Sequence, residues 1–172
     1  AAPASACSMN PCPCGNFGNS QQECSCSPQQ IQRYMAKISG PLLDRIDVHV
    51  EAPAVKYQEL ASSRSGETSE TIRRRVVNAR AVQTERFKNS NGLFKNADMS
   101  AKDVREFCVL DSAGQLLIQT AMTKLGLSAR AFDRILKVAR TIADIFGQSS
   151  IKPEHVAEAI QYRSLDRQYW NA

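Results

Sequence analysis

Apolar positions recur with two different periods along the chain, and the change between them divides it. Ser27-Pro28 opens the first helical pattern, serine offering an N-cap oxygen and proline suiting the first helical position, where a missing N–H costs nothing. Ile31, Tyr34, Met35 and Ile38 follow at spacings of three and four, and Gly40-Pro41 is expected to end that helix. After the turn Leu42-Leu43-Asp44-Arg45, the residues Ile46, Val48 and Val50 alternate with Asp47, His49 and Glu51, which predicts a short strand closed by Pro53. A polar Ser/Gly stretch over about 62–68 reads as a linker.

Everything beyond the linker is expected to be helical. A helix over about 69–88 sets Ile72, Val76, Ala79 and Phe87 on one face. A short helix over about 100–108 precedes another over about 112–125, which Gly126 stops from the C′ position. Ser128 caps a helix to about Phe146, in which Phe132, Ile135, Leu136, Ala139, Ile142, Ala143 and Phe146 form an apolar stripe. Gly147 ends it, and Pro153 starts a last helix carrying Val156, Ala157 and Ile160. Five short amphipathic helices joined by short loops predict a small bundle, so the fold class is mainly α.

Residues 1–27 are different: rich in Cys, Pro, Gly, Asn and Ser, with little periodicity, they predict a loop or a small knuckle. Five of the six cysteines (Cys7, Cys12, Cys14, Cys24, Cys26) lie there, which argues for a local site rather than a disulfide-stapled whole. The start of the chain has neither the basic residues nor the apolar stretch of a secretory signal, and no apolar run approaches the roughly 18 residues of a membrane span. The expectation is a cytoplasmic protein with no membrane partner, in a reducing compartment where clustered thiols hold a metal or stay free. Cys12-Pro-Cys14 and Cys24-Ser-Cys26, nine residues apart, supply four thiolates from two turns, enough to close a tetrahedral Zn²⁺ shell. Free or redox-active thiols and disulfides remain as alternatives, and Cys7 is a substitute ligand. Cys108 follows Phe107 in an apolar context and reads as a core residue.

Charge adds candidate phosphate contacts. The 22 Lys+Arg against 17 Asp+Glu leave +5 at pH 7, which permits a polyanionic partner without requiring one. Arg130, Arg134 and Lys137 fall within about 40° of one line on their helix, opposite the apolar stripe. That side is either a solvated basic face or a phosphate contact. Arg130 is the better candidate for the latter because it lies in the first turn, where the helix N-terminus also favours an anion. On the helix over about 69–88, Arg73, Arg74 and Arg80, together with Arg75, Arg86 and Lys88, form either a duplex-facing patch or a surface balanced by Glu67, Glu70 and Glu85. His49 and His155 are isolated and read as structural. The sequence contains no G-x-x-x-x-G-K-[ST] loop, and no Ser/His/Asp or Cys/His set is apparent, so the chain alone is not expected to turn over ATP.

Longer motifs sharpen this. Met9-Asn10-Pro11-Cys12-Pro13-Cys14-Gly15, then Cys24-Ser-Cys26, Gln30-Ile31-Gln-Arg33-Tyr34 and Ile38-Ser39-Gly40-Pro41-Leu42-Leu43-Asp44-Arg45-Ile46-Asp47, resemble the magnesium-chelatase-like AAA+ proteins of the ComM/YifB type. The stretch from Leu127 to Asp144 and the one from Ile151 to Arg163 resemble the helical lid of the same family. The resemblance covers nearly the whole chain. It implies an incomplete α/β core piece over 1–60, with a Cys-rich knuckle and a short strand, followed by a C-terminal helical lid over 61–172. It further implies that the chain corresponds to the C-terminal third of such a protein, the phosphate-binding and Walker B segments lying upstream of Asn10.

Position by position, the resemblance matches Asn10 to the sensor-1 residue that positions the attacking water. Arg45 is matched to an arginine finger reaching the ATP of a neighbouring subunit, and Arg130 to the sensor-2 arginine of the lid, with Arg134 as runner-up. A finger requires a permanent cation of bidentate geometry aimed where charge spreads in phosphoryl transfer; the plainer role for Arg45 is an ion pair with Asp44 or Asp47. The implied whole is a ring-forming, hexameric motor that uses ATP and Mg²⁺ to remodel DNA, with branch migration in natural transformation among its roles. Two other readings stand beside it: a small zinc-bearing DNA-binding module without nucleotide chemistry, and a magnesium-chelatase subunit of tetrapyrrole synthesis, disfavoured because the Cys knuckle distinguishes the ComM branch.

Overall fold

A computed structural model describes residues 6–53, 55, 66–90 and 92–163, and among them helices account for nearly all regular structure. Helix α1 (Pro28–Met35) begins as its sequence dictates: Ser27 Oγ accepts from the Gln30 N–H, and the Gln30 side chain returns the bond to the Ser27 N–H. Gly40-Pro41 does not simply end this helix. Met35 is its last residue, and Gly40–Leu43 forms a one-turn helix α2, with Pro41 in the first turn, where proline is tolerated.

The expected strand over 46–50 does not form. These residues have no ladder partner among the described residues, where the sole isolated bridge is the parallel pair Leu110–Ile151. Alternation reports two faces but not a neighbouring strand, and this segment satisfies its backbone on the helical bundle instead: the His49 N–H donates to the Tyr162 carbonyl at 2.9 Å.

The bundle itself follows the predicted helices closely. It comprises α3 (Ser69–Phe87), a 3₁₀ turn (Asn96–Asp98), α4 (Ala101–Phe107), α5 (Ser112–Leu125), α6 (Ala129–Ile145) and α7 (Pro153–Gln161). Caps set the boundaries: Thr68, Ser100, Asp111 and Ser128 each accept a first-turn N–H, and Gly126 closes α5 at φ +55°, a conformation that favours glycine. Ser128→Ala should therefore cost about 1 kcal/mol in urea unfolding, with Ser128→Gly costing only a few tenths, since glycine also leaves the Ala131 N–H open to water.

Helix α6 is the axis. Its buried Ala131, Ile135, Leu136, Ala139, Ile142 and Ala143 face α7, α3 and α4, while α5 packs on α7. Phe146 leaves the predicted stripe: it is the C-cap residue, 62% exposed, and its ring stacks over His155 at 6.0 Å. His155 holds a structural post, its Nδ1 accepting the Lys152 N–H at the start of α7. On α3 the predicted face exists, but only Ala79, Gln83 and Phe87 are buried; Ile72 and Val76, two turns N-terminal on the same line, are exposed because the bundle does not reach them. Cys108 is a core residue, and burial pushes its thiol up to about 11 against the opposing pull of Arg140 and Arg86, which leaves it an inert hydrophobe at neutral pH.

A buried polar knot joins α3, the 3₁₀ turn and α6. Arg86 pairs through both terminal nitrogens with the Asp144 carboxylate, Asn96 Nδ2 donates to Asp144 Oδ2 at 2.8 Å, and Arg140 Nε donates to Oδ1 at 3.1 Å. The Asn96 N–H donates to Gln83 Oε1, and Arg140 also binds the Gln148 and Ser149 carbonyls at the C-terminal end of α6. The linker expected at 62–68 lies outside the described residues up to 65.

Candidate functional site

The cysteine cluster is preformed. The turn after Cys12, closed by Gly15 N–H to Cys12 O at 3.1 Å, needs Gly15 at φ +83° and brings the chain back on itself. The Sγ atoms of Cys12, Cys14, Cys24 and Cys26 all lie within 4.8 Å of one another, with Cys12–Cys14 at 3.4, Cys14–Cys24 at 3.6 and Cys12–Cys24 at 3.8 Å. A tetrahedral Zn²⁺ with Zn–S bonds of about 2.3 Å sets its sulfurs about 3.8 Å apart, so the donor set already has the right size and chemistry. The Phe17 N–H points at Cys12 Sγ at 3.4 Å, the kind of outer hydrogen bond that orients a thiolate.

Electrostatics in the cluster point the same way. Backbone hydrogen bonding from Asn16, then the Cys12 sulfur and the Ser25 backbone, bring the Cys14 thiol down to about 5. For Cys24 the Cys26 backbone favours the thiolate, but desolvation and the neighbouring Cys14 and Cys12 sulfurs outweigh it and push that thiol up to about 12. Cys26 is raised as well, against its bond to the Cys14 backbone, by desolvation and the same neighbours. A divalent cation among the four sulfurs would offset the desolvation and the neighbouring sulfurs that raise Cys24 and Cys26.

The second candidate region lies where the 44–50 segment crosses the bundle. Arg45 is exposed on the turn after α2, and its Nη1 donates to the Pro41 carbonyl at 3.0 Å. The carboxylates proposed as its plainer partners are taken up elsewhere: Asp44 Oδ1 lies 3.6 Å from Arg163 Nη2, and Asp47 pairs with Arg134. An open groove of about 670 Å³ runs between this segment and the bundle, lined by Asp47, Arg130, Arg134, Lys137, Glu158 and Tyr162 among others. That volume falls in the range of roughly 300–1,000 Å³ typical of small-molecule sites.

The basic side of α6 is therefore not a plain solvated face. Arg134 is held by Asp47 and Lys137 Nζ donates to the Ala97 carbonyl at 3.2 Å, whereas Arg130 stays exposed in the first turn. Asn10 is also exposed, in residues without regular structure, its side chain beside the Gly15 turn. Of the basic groups on α3, Arg75 pairs with Glu67, Lys88 with Glu85 and Arg86 with Asp144. Arg73 and Arg80 share one exposed side, about 20° apart around the helix, with Arg74 about a quarter turn away.

Sequence reasoning singled out the cysteines and Arg45 but not Arg163, a guanidinium 1% exposed that donates from Nη1 to the Ile46 carbonyl. Its partner lies 117 residues away in the chain, and only its position just past a predicted helix could have flagged it.

Residues 66–163 match the family described as magnesium chelatase, subunit ChlI C-terminal, and residues 2–60 match magnesium chelatase, subunit ChlI. The chain is 40% identical over 160 residues to the competence protein ComM of Haemophilus influenzae and 41% identical over 160 residues to the uncharacterized protein YifB of Escherichia coli, alignments that cover 92% of this chain and 30% of each relative. An uncharacterized protein of Mycobacterium bovis is 36% identical over 154 residues, which cover 90% of this chain and again 30% of the relative. The chain thus spans about a third of the length of the curated relatives it matches. No described helix is long and apolar enough to cross a membrane. With the first family match alone extending over more than half of its residues, and a helical bundle of the kind a lid domain requires, the chain belongs to the magnesium chelatase ChlI family.

Proposed function

We propose that this chain provides the arginine finger, the metal knuckle and the lid of an AAA+ ATPase that assembles into a ring and remodels DNA, as the name of its ComM relative suggests through competence. Residues 1–60 would complete the nucleotide-binding core, and 61–172 would form the lid. The observation that carries the reading is Arg45: an exposed guanidinium on a turn whose neighbouring carboxylates are already engaged, which leaves its charge for an outside anion. Arg130, exposed at the first turn of α6 beside the groove, would meet the phosphates of the chain's own nucleotide, with Asn10 as the water-positioning residue and Mg²⁺ carried in with ATP.

The test is ATP turnover by the full-length protein, with and without branched DNA. Mg²⁺-dependent hydrolysis that branched DNA accelerates is expected. A folded protein that hydrolyses no ATP overturns the reading.

In the reducing cytoplasm, Cys12, Cys14, Cys24 and Cys26 would hold a structural zinc that fixes the knuckle without taking part in chemistry. Elemental analysis of protein purified from zinc-supplied cells should give about one zinc per chain, and removing it with a chelator should expose the four thiols to titration and loosen residues 12–26. Metal-free protein with freely titrating thiols would refute the site.

A second reading, a zinc-bearing DNA-binding module, is favoured by Arg73, Arg74 and Arg80 remaining exposed after the other basic groups of α3 have paired. It predicts DNA affinity that falls steeply with salt and ignores nucleotide.

A further inference from the structure

We infer that Arg134 and Arg163 are positioning residues for Arg45: they lock the turn that carries it onto the helical bundle, so that lid and finger move as one body. The inference rests on the reading of Arg45 as a finger and deepens it.

The locking contacts surround Arg45 in sequence. One residue before it, Asp44 Oδ1 lies 3.6 Å from Arg163 Nη2; one residue after it, the Ile46 carbonyl accepts from Arg163 Nη1. Two residues after it, Asp47 pairs with Arg134 on α6, and four after it the His49 N–H donates to the Tyr162 carbonyl at the end of α7. All four of these contacts come from the bundle side; from the other side α2 adds the local bonds of the Asp44, Arg45 and Ile46 N–H groups to the Gly40, Leu42 and Leu43 carbonyls, so α2 travels with the turn. Arg163 is 1% exposed, so its contacts with Asp44 and the Ile46 carbonyl are made by a guanidinium that solvent screens little. Arg134 is crowded in turn: burial and then the nearby Arg163 charge lower its pKa, Asp44 opposes them and Arg45 adds to them, although the guanidinium keeps its charge.

The consequence is mechanical. Arg130 stands one helical turn from Arg134 on α6, and both line the same groove. A tilt of the lid driven by phosphates at Arg130 would carry the Arg45 turn with it, because the clamp has no hinge between α6 and Asp47. The finger offered to a neighbouring subunit would then report the nucleotide state of its own subunit. Were these ion pairs mere fold stabilisers, weakening the half-exposed Arg134–Asp47 pair would change stability slightly and turnover not at all.

The experiment uses the full-length protein with Arg134→Gln, Asp47→Asn and the charge swap Asp47→Arg/Arg134→Asp. Each single variant should lower kcat about tenfold or more while KM for ATP stays within about twofold, and amide exchange over residues 44–49 should quicken about tenfold. The swap should recover most of both losses. Arg163→Met should show the same signature more strongly if it folds; the partly exposed Arg134–Asp47 pair supplies the variants that decide the matter if it does not. Unchanged exchange in both single variants would overturn the clamp. Faster exchange with undiminished kcat, alongside an inactive Arg45→Ala control, would overturn the positioning role alone. Wild-type protein without turnover would instead overturn the reading of Arg45 itself and the positioning role with it, the exchange arm still reporting whether the clamp exists.

Discussion

Asp144→Ala should destabilise the helical bundle by about 3–5 kcal/mol, the usual cost of removing one partner from a buried charged network. Its carboxylate is fully buried and receives donors from Arg86, Asn96 and Arg140, which saturate the lone-pair sites of both oxygens. Alanine would leave the Arg86 and Arg140 guanidiniums facing each other with no counter-charge between them. Arg140 would be the more deeply buried of the two charges, with the Gln148 and Ser149 carbonyls beyond α6 as remaining acceptors, while Arg86 would keep the Asn96 Oδ1 bond. Asn96 would lose one of the bonds that tie the 3₁₀ turn to α6, although Thr141 Oγ1 still accepts from it. Asparagine at 144 should restore little, because its amide presents donors to donors. Against a total domain stability of about 5–15 kcal/mol, the loss is large enough to unfold a good part of the population. Denaturant unfolding of full-length protein followed by circular dichroism reads the effect, and a loss below about 1 kcal/mol would mean that water, rather than Asp144, satisfies the two arginines.

That knot also marks where reading the sequence stops. The caps at Ser27, Ser128 and Gly126 depend on atoms within four residues of one another, so composition and spacing located those helix ends within a residue or two. Arg86, Asn96 and Asp144 are separated by 10 to 58 residues, and hydropathy marks all three as surface groups. Their burial follows from mutual pairing, which no local pattern encodes. The 46–50 segment failed for the same reason in reverse. Its alternation was genuine, but a strand needs a partner ladder, and here Arg134, Arg163 and Tyr162 supply the contacts instead. The candidate site divides along the same line. The four cysteines lie within 15 residues and are readable as a cluster, and the motif singles out Arg45 as a candidate, while the contacts of Arg134 and Arg163 with residues 44–47 depend on folding.

Arg45→Ala in the full-length protein should lower kcat for ATP by about 10³-fold or more and leave nucleotide affinity within about twofold. The asymmetry follows from where the side chain sits. Arg45 projects from an exposed turn, and among the described residues its side chain donates to the Pro41 carbonyl just before that turn, so removing it strands no buried side-chain partner there. Asp44 and Asp47 keep Arg163 and Arg134, and the turn stays in place. On the proposed role, what disappears is a charge that matters only when negative charge spreads over a transferring phosphoryl group at the subunit boundary. A factor of 10³ corresponds to about 4 kcal/mol of transition-state stabilisation, more than a screened surface ion pair contributes and within reach of a desolvated guanidinium. Arg45→Lys should recover little, because an ammonium keeps the charge without the two-pronged geometry. Mixing Arg45→Ala subunits with subunits unable to bind ATP supplies the decisive comparison. If the finger acts across the boundary, mixed rings regain turnover wherever an intact Arg45 faces a competent nucleotide site. If it acts within its own subunit, no mixture exceeds the sum of its parts, and the assignment in trans fails.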